Sequence, residues 1–215
     1  MSSDAQQDLR KLAQDLSIEL TDRQAQSLHD YVQLLLKWNR VYNLTAIRQA
    51  EEVWTHHIYD SMAAVPAIVE QDPHVQSILD VGSGGGLPGV VWAILRDDWQ
   101  VDCLDAVAKK MAFVQQVIHA IPIVQGRMQA LHKRVQEHQQ TYDVVTSRAF
   151  ASLIDFVSWT RHLLKPKGYW LAMKGKWPQD EMDALPADVE VFHVKQLHVP
   201  KLDEERWLIW LRPQS

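Results

Sequence analysis

Residues 79–89 read Leu-Asp-Val-Gly-Ser-Gly-Gly-Gly-Leu-Pro-Gly, an apolar run that ends in a glycine-dense loop. Glycines let a chain turn tightly and let backbone N–H groups approach a ligand closely. Gly84, Gly86 and Gly89 fit G-x-G-x-x-G, although so dense a loop satisfies that pattern easily. The esterase elbow G-x-S-x-G fails, because Val81 stands where its first glycine belongs. The phosphate loop fails too, because no Gly-Lys-Ser/Thr comes after it. The acids narrow the ligand. Asp80 sits just before the glycines, and Asp105 closes the next apolar run. An acid at that second position can accept hydrogen bonds from both hydroxyls of a ribose. Dinucleotides and S-adenosyl-L-methionine all carry a ribose. Only the latter adds a cationic sulfonium and an ammonium and lacks a pyrophosphate. An acid at the loop mouth repels a pyrophosphate and suits that cationic end. A structural loop with helix-capping aspartates is the alternative.

Other chemistry-bearing residues are scattered. His56, His57 and Asp60 suggest a metal at first sight. Adjacent histidines point to different sides of a helix, so one at most shares a face with Asp60. Without further ligands, a buried hydrogen bond is the better reading, and no metal is expected. Arg148 comes after the apolar pair Val144-Val145 and should sit at the carboxyl end of a sheet, where open α/β folds bind ligands. It stays protonated and can bind a carboxylate, a phosphate or a guanine edge, but cannot serve as a base. A structural salt bridge, with Asp80 or Asp143, competes with that role. Trp177, beside Lys174 and Lys176, can stack on a splayed base or simply pack.

These residues need a scaffold. Over the first 70 residues the apolar positions recur at helical spacing, as in Leu9, Leu12, Ala13 and Leu16. Thr21 with Gln24 is a capping-box start for a second helix that ends near Trp38. Residues 39–46 read as an irregular connection, and helix resumes from about Gln49 to Glu70. From Gln76 short apolar runs alternate with helical segments. The strands are read at 77–81, 101–104, 121–124, 142–147 and 168–174, with helices at 89–96, 107–120, 151–164 and 178–185. Segments 189–199 and 206–212 read as a closing hairpin. The expectation is an α/β Rossmann-like fold, with a mainly parallel seven-stranded sheet, an antiparallel last strand and a helical N-terminal extension. The extension spans 1–70 and the main domain 71–215.

Composition bounds the rest. The chain has 215 residues, 47% apolar and 23% charged, an ordinary soluble balance. Its one cysteine, Cys103, permits no intrachain disulfide and, with no signal-peptide pattern, suggests a reducing cytoplasm. No apolar run reaches the roughly 20 residues needed to cross a bilayer, so no membrane partner is expected. Net charge is −5, but it is uneven. Residues 1–75 hold 11 acids and 6 bases, and the remainder holds 16 of each. Segments 106–136 and 156–179 hold bases and no acid. Lys165, Lys167, Lys174 and Lys176 lie in the second of these, and with Trp177 they are the candidate RNA-binding set. Solvated helix faces would look the same.

The loop at 80–89 closely resembles the cofactor loop of the ribosomal RNA small subunit methyltransferase G family, also called glucose-inhibited division protein B. Residues 36–39 (Leu-Lys-Trp-Asn), 42–45 (Tyr-Asn-Leu-Thr) and 57–61 (His-Ile-Tyr-Asp-Ser) are similar to that family's N-terminal signatures. Leu104-Asp105 with Lys109-Lys110, and Ser147-Arg148-Ala149-Phe150, resemble later segments in the same order. The tail beyond Trp177 carries no motif to match. The resemblance implies S-adenosyl-L-methionine as cofactor and methylation at N7 of a guanine in 16S ribosomal RNA. It implies the 16S rRNA or the small ribosomal subunit as partner; separately, a monomer is expected. It places Asp80, Gly82, Gly84, Gly86, Leu87 and Asp105 on the cofactor. Met128, Gln129 and Arg148 join them, although the family usually has an acid near Gln129. Arg148 would orient the base or the cofactor. N7 carries a free lone pair, so no general base is expected. A dinucleotide oxidoreductase would want a substrate domain downstream. A non-catalytic RNA-binding module would not need Asp80, Asp105 and the glycines together.

Overall fold

The computed structural model describes residues 3–148 and 152–214. Ala149, Phe150 and the expected helix start at Ala151 lie outside the described residues. Helix α1 spans Ser3–Asp15 and α2 spans Asp22–Tyr42. The capping box forms at the start of α2, where Thr21 Oγ1 accepts from Gln24 N and Thr21 N donates to Gln24 Oε1. The Gln24 amide also donates to Leu95 O, at 2.9 Å. One stripe of α2, including Leu28, Tyr31, Val32 and Leu35, is buried against the rest of the chain. The helix runs past Trp38 into the segment read as irregular, and stops at Asn43 in the left-handed region. Asn39 pins the connection beyond it: its amide donates to Ile47 O and its carbonyl accepts from Thr45 N.

The next helical stretch has three parts. Helix α3 is Ala50–Val53, residues Trp54–Tyr59 form a π-helix, and α4 is Asp60–Gln71. Wide π turns inside α-helices often mark functional sites. The remaining elements are β1 Ser77–Val81, α5 Gly89–Leu95, β2 Gln100–Asp105, α6 Ala108–Ala120 and β3 Met128–His132. Then come β4 Tyr142–Arg148, α7 Leu153–Thr160, β5 Leu164–Lys174, α8 Gln179–Asp183, β6 Val189–Gln196 and β7 Trp207–Pro213.

The seven strands form one sheet in the order β3-β2-β1-β4-β5-β7-β6. All pairs from β3 to β5 are parallel, and β7 runs antiparallel to both β5 and β6. This is the expected architecture. Central strands bury both faces, so they read as continuous apolar runs. In β1, Ile78 joins the core shared with the N-terminal helices, while Leu79 joins the core under α7. Residues 1–70 therefore have no core of their own among the described residues, because Leu28, Tyr31 and Ile58 pack in one cluster with Val90 and Phe113.

One strand differs from the expectation. Residues 121–124 read as a strand in the sequence, but Pro122–Val124 is a 3₁₀ turn and β3 begins at Met128. Arg127, just before it, is a structural cation. Its guanidinium donates to the carbonyls of Ala93, Arg96, Trp99 and Ile123. At the amino end of the sheet, Asp143 Oδ2 accepts from Gln76 N, Ser77 N and Ser77 Oγ, and its Oδ1 accepts from Lys165 Nζ.

Strand order reverses between β1 and β4, which makes their carboxyl ends the switch point where such sheets bind ligands. The glycine loop leaves β1 there. Helix α2 supports it from below, with the buried Tyr31 hydroxyl donating to Gly85 O at 2.7 Å. Tyr31→Phe leaves that carbonyl buried without its partner. The expected cost is about 1–3 kcal/mol of unfolding free energy, read from urea titration. An unchanged midpoint and slope would remove the bond from the loop's support.

Candidate functional site

The loop is shaped by left-handed backbone at Gly82, Gly84 and Gly86. A side chain at Gly86 would bring its Cβ to 2.5 Å from Val90 Cγ2, so glycine is required there for both reasons. Gly82 N and Ser83 N donate to Leu104 O, which ties the loop to the end of β2. Asp105, next along β2, is buried and well partnered. Its Oδ2 accepts from Gly84 N at 3.1 Å and Lys110 Nζ at 3.3 Å, and its Oδ1 accepts from Val107 N.

Asp80 occupies a different place from the expected loop mouth. It is fully buried under the loop, with Oδ2 accepting from Gly89 N at 2.8 Å. Its Oδ1 has no hydrogen-bond partner among the described residues. Burial pushes its pKa up to about 7, against the opposing pull of the Gly89 N–H and the Arg148 charge.

Three cavities surround the carboxyl ends of β1, β2 and β4. One of about 590 Å³ lies over Gly82 and Asp105 and is walled by Leu104, Val135, Gln136 and Trp159. A small one, about 150 Å³, lies between the glycine loop and residues Leu44, Thr45, His57 and Arg148. The third, about 680 Å³, is bounded by His56, Asp60, Arg148, Trp177, Arg206 and Trp207 among others. Arg148 and His57 belong to both the small and the large cavity.

Arg148 is held through three neighbours. Its Nη1 donates to Asp60 Oδ2 and to His56 O, both at 3.0 Å. The salt bridge therefore exists, but with Asp60 and not with Asp80 or Asp143. The arginine's Nη2 meets His57 Nδ1 at 3.2 Å. Nδ1 also lies 3.1 Å from His56 O, but that carbonyl already accepts from Arg148 Nη1, and an N–H on Nδ1 would face the guanidinium; we therefore assign Nδ1 as the acceptor, without a proton. His57 Nε2 then carries the proton and donates to Thr45 Oγ1 at 2.8 Å. Burial first, and the Arg148 charge second, lower the His57 pKa to about 3. Asp60 also accepts from Arg206 Nε at 3.1 Å. The tail with no motif thus delivers a second guanidinium to the same carboxylate.

The structure brings together Gly82, Gly84, Leu87 and Arg148 around the small cavity. It places Lys174, Lys176 and Trp177 on the large one. It separates others from them. Met128 and Gln129 open β3 and pair with Val101 and Asp102, whereas Asp105 pairs with His132. They lie at the amino end of the sheet, away from the loop. The residues that leave β3 on the loop side are Lys133 to Glu137, and they line the cavity over Asp105. Lys165 and Lys167 begin β5 at the amino end, where Lys165 is bound to Asp143. Lys174 closes the same strand and pairs with Glu181. The basic set is therefore not one patch. Val135, Gln136, Glu204 and Arg206 carry no signal of their own in the sequence, and Thr45 is marked only by the motif at 42–45. Among the described residues, no three His, Cys, Asp or Glu side chains converge as metal ligands, and no helix is long and apolar enough to cross a membrane.

The family described as rRNA small subunit methyltransferase G matches residues 24–209. The ribosomal RNA small subunit methyltransferase G of Acidovorax sp. (strain JS42) is 50% identical over 214 residues, covering 95% of this chain and 94% of that protein. The protein of that name from Leptothrix cholodnii is 51% identical over 205 residues, with 94% and 93% covered. Among solved structures, a SAM-dependent methyltransferase of Leishmania major aligns with a TM-score of 0.59 at 15% identity, over 85% of this chain and 83% of that one. That likeness carries the fold.

Asp80 and His57 impose opposite pH dependences on stability. Between its ordinary 3.8 and about 7, Asp80 keeps a proton when folded and loses it when unfolded. Its contribution falls as pH rises through that window. Between about 3 and its ordinary 6.5, His57 is neutral when folded and protonated when unfolded. Its contribution is present above 6.5 and is lost as pH falls. Over the overlap the two slopes oppose. Relative to wild type, Asp80→Asn should gain a stability curve that rises more steeply from pH 4 to 6.5. His57→Gln should gain one that falls over the same range. Denaturant titrations at several pH values read both, and curves parallel to wild type would contradict the assignment.

Proposed function

The chain belongs to the rRNA small subunit methyltransferase G family, and on that premise we propose that it methylates N7 of a guanine in 16S ribosomal RNA, with S-adenosyl-L-methionine as donor. The observation that carries this reading is the shared wall. Arg148 and His57 separate a cavity at the glycine loop from a larger one rimmed by tryptophans and cations.

The residues at the loop fit the donor. The Asp105 carboxylate lies at the end of β2 in a nucleoside-sized cavity, with Leu104 and Val135 as apolar walls. It is the candidate for the ribose hydroxyls, while Gln136 and the backbone after β3 replace Met128 and Gln129 as the adenine side. Gly82, Gly84 and Leu87 would hold the amino-acid end against Arg148. Gly86 and the buried Asp80 act by shaping the loop. When bound, the donor supplies an activated methyl on a cationic sulfur.

The chain's own residues then align and exclude water. N7 of neutral guanine already has its lone pair, so no proton need be removed. His57 is not a base here, because Arg148 occupies its free nitrogen. Arg148, fixed by Asp60, His56 O and His57, is a rigid donor at the junction and orients what meets there. Trp177, 40% exposed and edge-on to Trp207 at 4.7 Å, offers a stacking face for a base taken out of its loop. Lys176 lines the same cavity and suits the RNA backbone. We read residues 1–70 as an extension that completes this site through His57 and Asp60. The protein is read as monomeric and cytoplasmic, where its rRNA substrate is found.

Mapping N7-methylguanosine in rRNA from a deletion strain, with and without this chain, tests the reading directly. Its absence from the complemented strain would refute it. Asp105→Ala should weaken donor binding by about 1.5–3 kcal/mol, the range for hydrogen bonds to a charged group. Gln129→Ala, at the other end of β3, should leave binding unchanged. Calorimetry on both variants, with thermal melting as a folding control, decides between the two ends of that strand. Single-turnover methylation should be nearly flat from about pH 6.5 to 8.5, because N7 is unprotonated across that window. Arg148→Lys should not restore the loss in Arg148→Ala, because lysine lacks the planar fork. A rate that climbs tenfold per pH unit would point to a proton removed from some other atom.

A further inference from the structure

We infer that Glu204, in the connection between β6 and β7, is the residue that selects guanine, by accepting hydrogen bonds from its N1–H and its 2-amino group. This rests on the proposed N7 methylation and names a specificity residue for it.

Three carboxylates line the large cavity: Asp60, Glu181 and Glu204. Two are committed. Asp60 is buried, with each oxygen taken by an arginine. Glu181 takes Lys174 Nζ on both oxygens, and Leu153 N on one of them. Glu204 differs. Its Oε2 accepts from Arg206 Nη2 at 2.9 Å, and its side chain is 56% exposed. Its Oε1 makes no hydrogen bond among the described residues. It is the carboxylate of this cavity with room to accept from a ligand.

Its place suits a purine whose N7 is to be attacked. Asp60 links Arg148 to Arg206, and Arg206 fixes Glu204. Arg148 stands at the boundary with the loop cavity, so the carboxylate faces the cavity from a point two arginines away from the methyl-transfer wall. A guanine with N7 toward Arg148 presents its N1–H and 2-amino edge on the far side. A carboxylate only accepts, and two parallel donors match its two oxygens. Adenine would present a lone pair at N1 instead, facing negative charge. Reading a flipped base by that edge while aromatic rings stack on it is common to enzymes that modify bases. The cavity's charges leave one cation for the backbone beside such a base. Four cations, Arg148, Lys174, Lys176 and Arg206, face three carboxylates, and every cation except Lys176 is paired among the described residues.

The test replaces the base and the residue together. Small subunits are reconstituted with 16S rRNA that carries guanosine or inosine at the target position. Inosine keeps N7 and N1–H and lacks the 2-amino group. Wild-type kcat/KM should be about tenfold or more higher for guanosine, as for loss of one hydrogen bond to a charged acceptor. Glu204→Gln should lower both values, but guanosine by more, because it loses two hydrogen bonds to the carboxylate where inosine loses one, so that the ratio collapses toward one. Glutamine can still accept from Arg206, so the arginine's support is kept, and thermal melting checks it. A ratio preserved while both values fall would make Glu204 a structural partner of Arg206 and overturn the inference. A variant with wild-type values on both substrates would overturn it as well. Failure of the wild-type enzyme on the guanosine subunit would overturn the rRNA reading itself, and this inference with it.

Discussion

The Asp60 carboxylate accepts from Arg148 and Arg206, which lie 88 and 146 positions away in the chain, while its side chain is only 3% exposed. A buried charge is tolerable only when paired and hydrogen-bonded, so the three groups are placed together or not at all. Each comes from a different part of the fold. The π turn delivers Asp60 and turns the His56 carbonyl toward Arg148. Strand β4 delivers Arg148 to the carboxyl end of the sheet, and the β6–β7 connection delivers Arg206. The triad carries one net positive charge. Glu204 on Arg206 balances that charge, so the network at the centre of the site is neutral as a whole.

This arrangement settles what the nearby histidines can do. A buried histidine beside an aspartate invites a general-base role. Here the histidine is turned the other way, because Arg148 meets its one free lone pair and burial keeps the ring neutral. His57 positions an arginine and Thr45 positions His57. The chemistry proposed for the site asks for alignment of a group that already has its lone pair. The polar interior supplies alignment, through fixed donors whose orientation is set before any ligand arrives.

The layout of the sheet is legible in the sequence because buried parallel strands are short, apolar and bounded by turns, and β1 reads at its observed limits. The glycine loop, Asp105 and the position of Arg148 are legible for the same reason, since each sits at the end of such a run. Strand β3 is not. It is an edge strand, Met-Gln-Ala-Leu-His, with its polar residues exposed, whereas Ile121–Val124 is more apolar but contains Pro122 and turns. Periodicity cannot separate a short buried turn from a short strand. That error moves Met128 and Gln129 from one end of the sheet to the other. The Asp60–Arg206 pair is invisible for a different reason. Nothing in local sequence reports a contact made across 146 positions. The π turn likewise has no sequence signal, and α2 runs on through Tyr42 because Asn43 accepts the left-handed cap.

Asp143 holds the opposite end of the molecule. It gathers the backbone at Gln76 and Ser77, the Ser77 hydroxyl and the Lys165 ammonium, and so fixes β1, β4 and β5 against one another. This lock lies a full strand length from Arg148. The information that sets strand register and the information that sets substrate choice are therefore written in separate residues. Loops at the carboxyl end can vary by mutation over generations without disturbing how the strands are paired. A scaffold of this kind is free to diversify. Its substrates can drift while its architecture is inherited unchanged, which fits a fold shared with a Leishmania methyltransferase at only 15% identity.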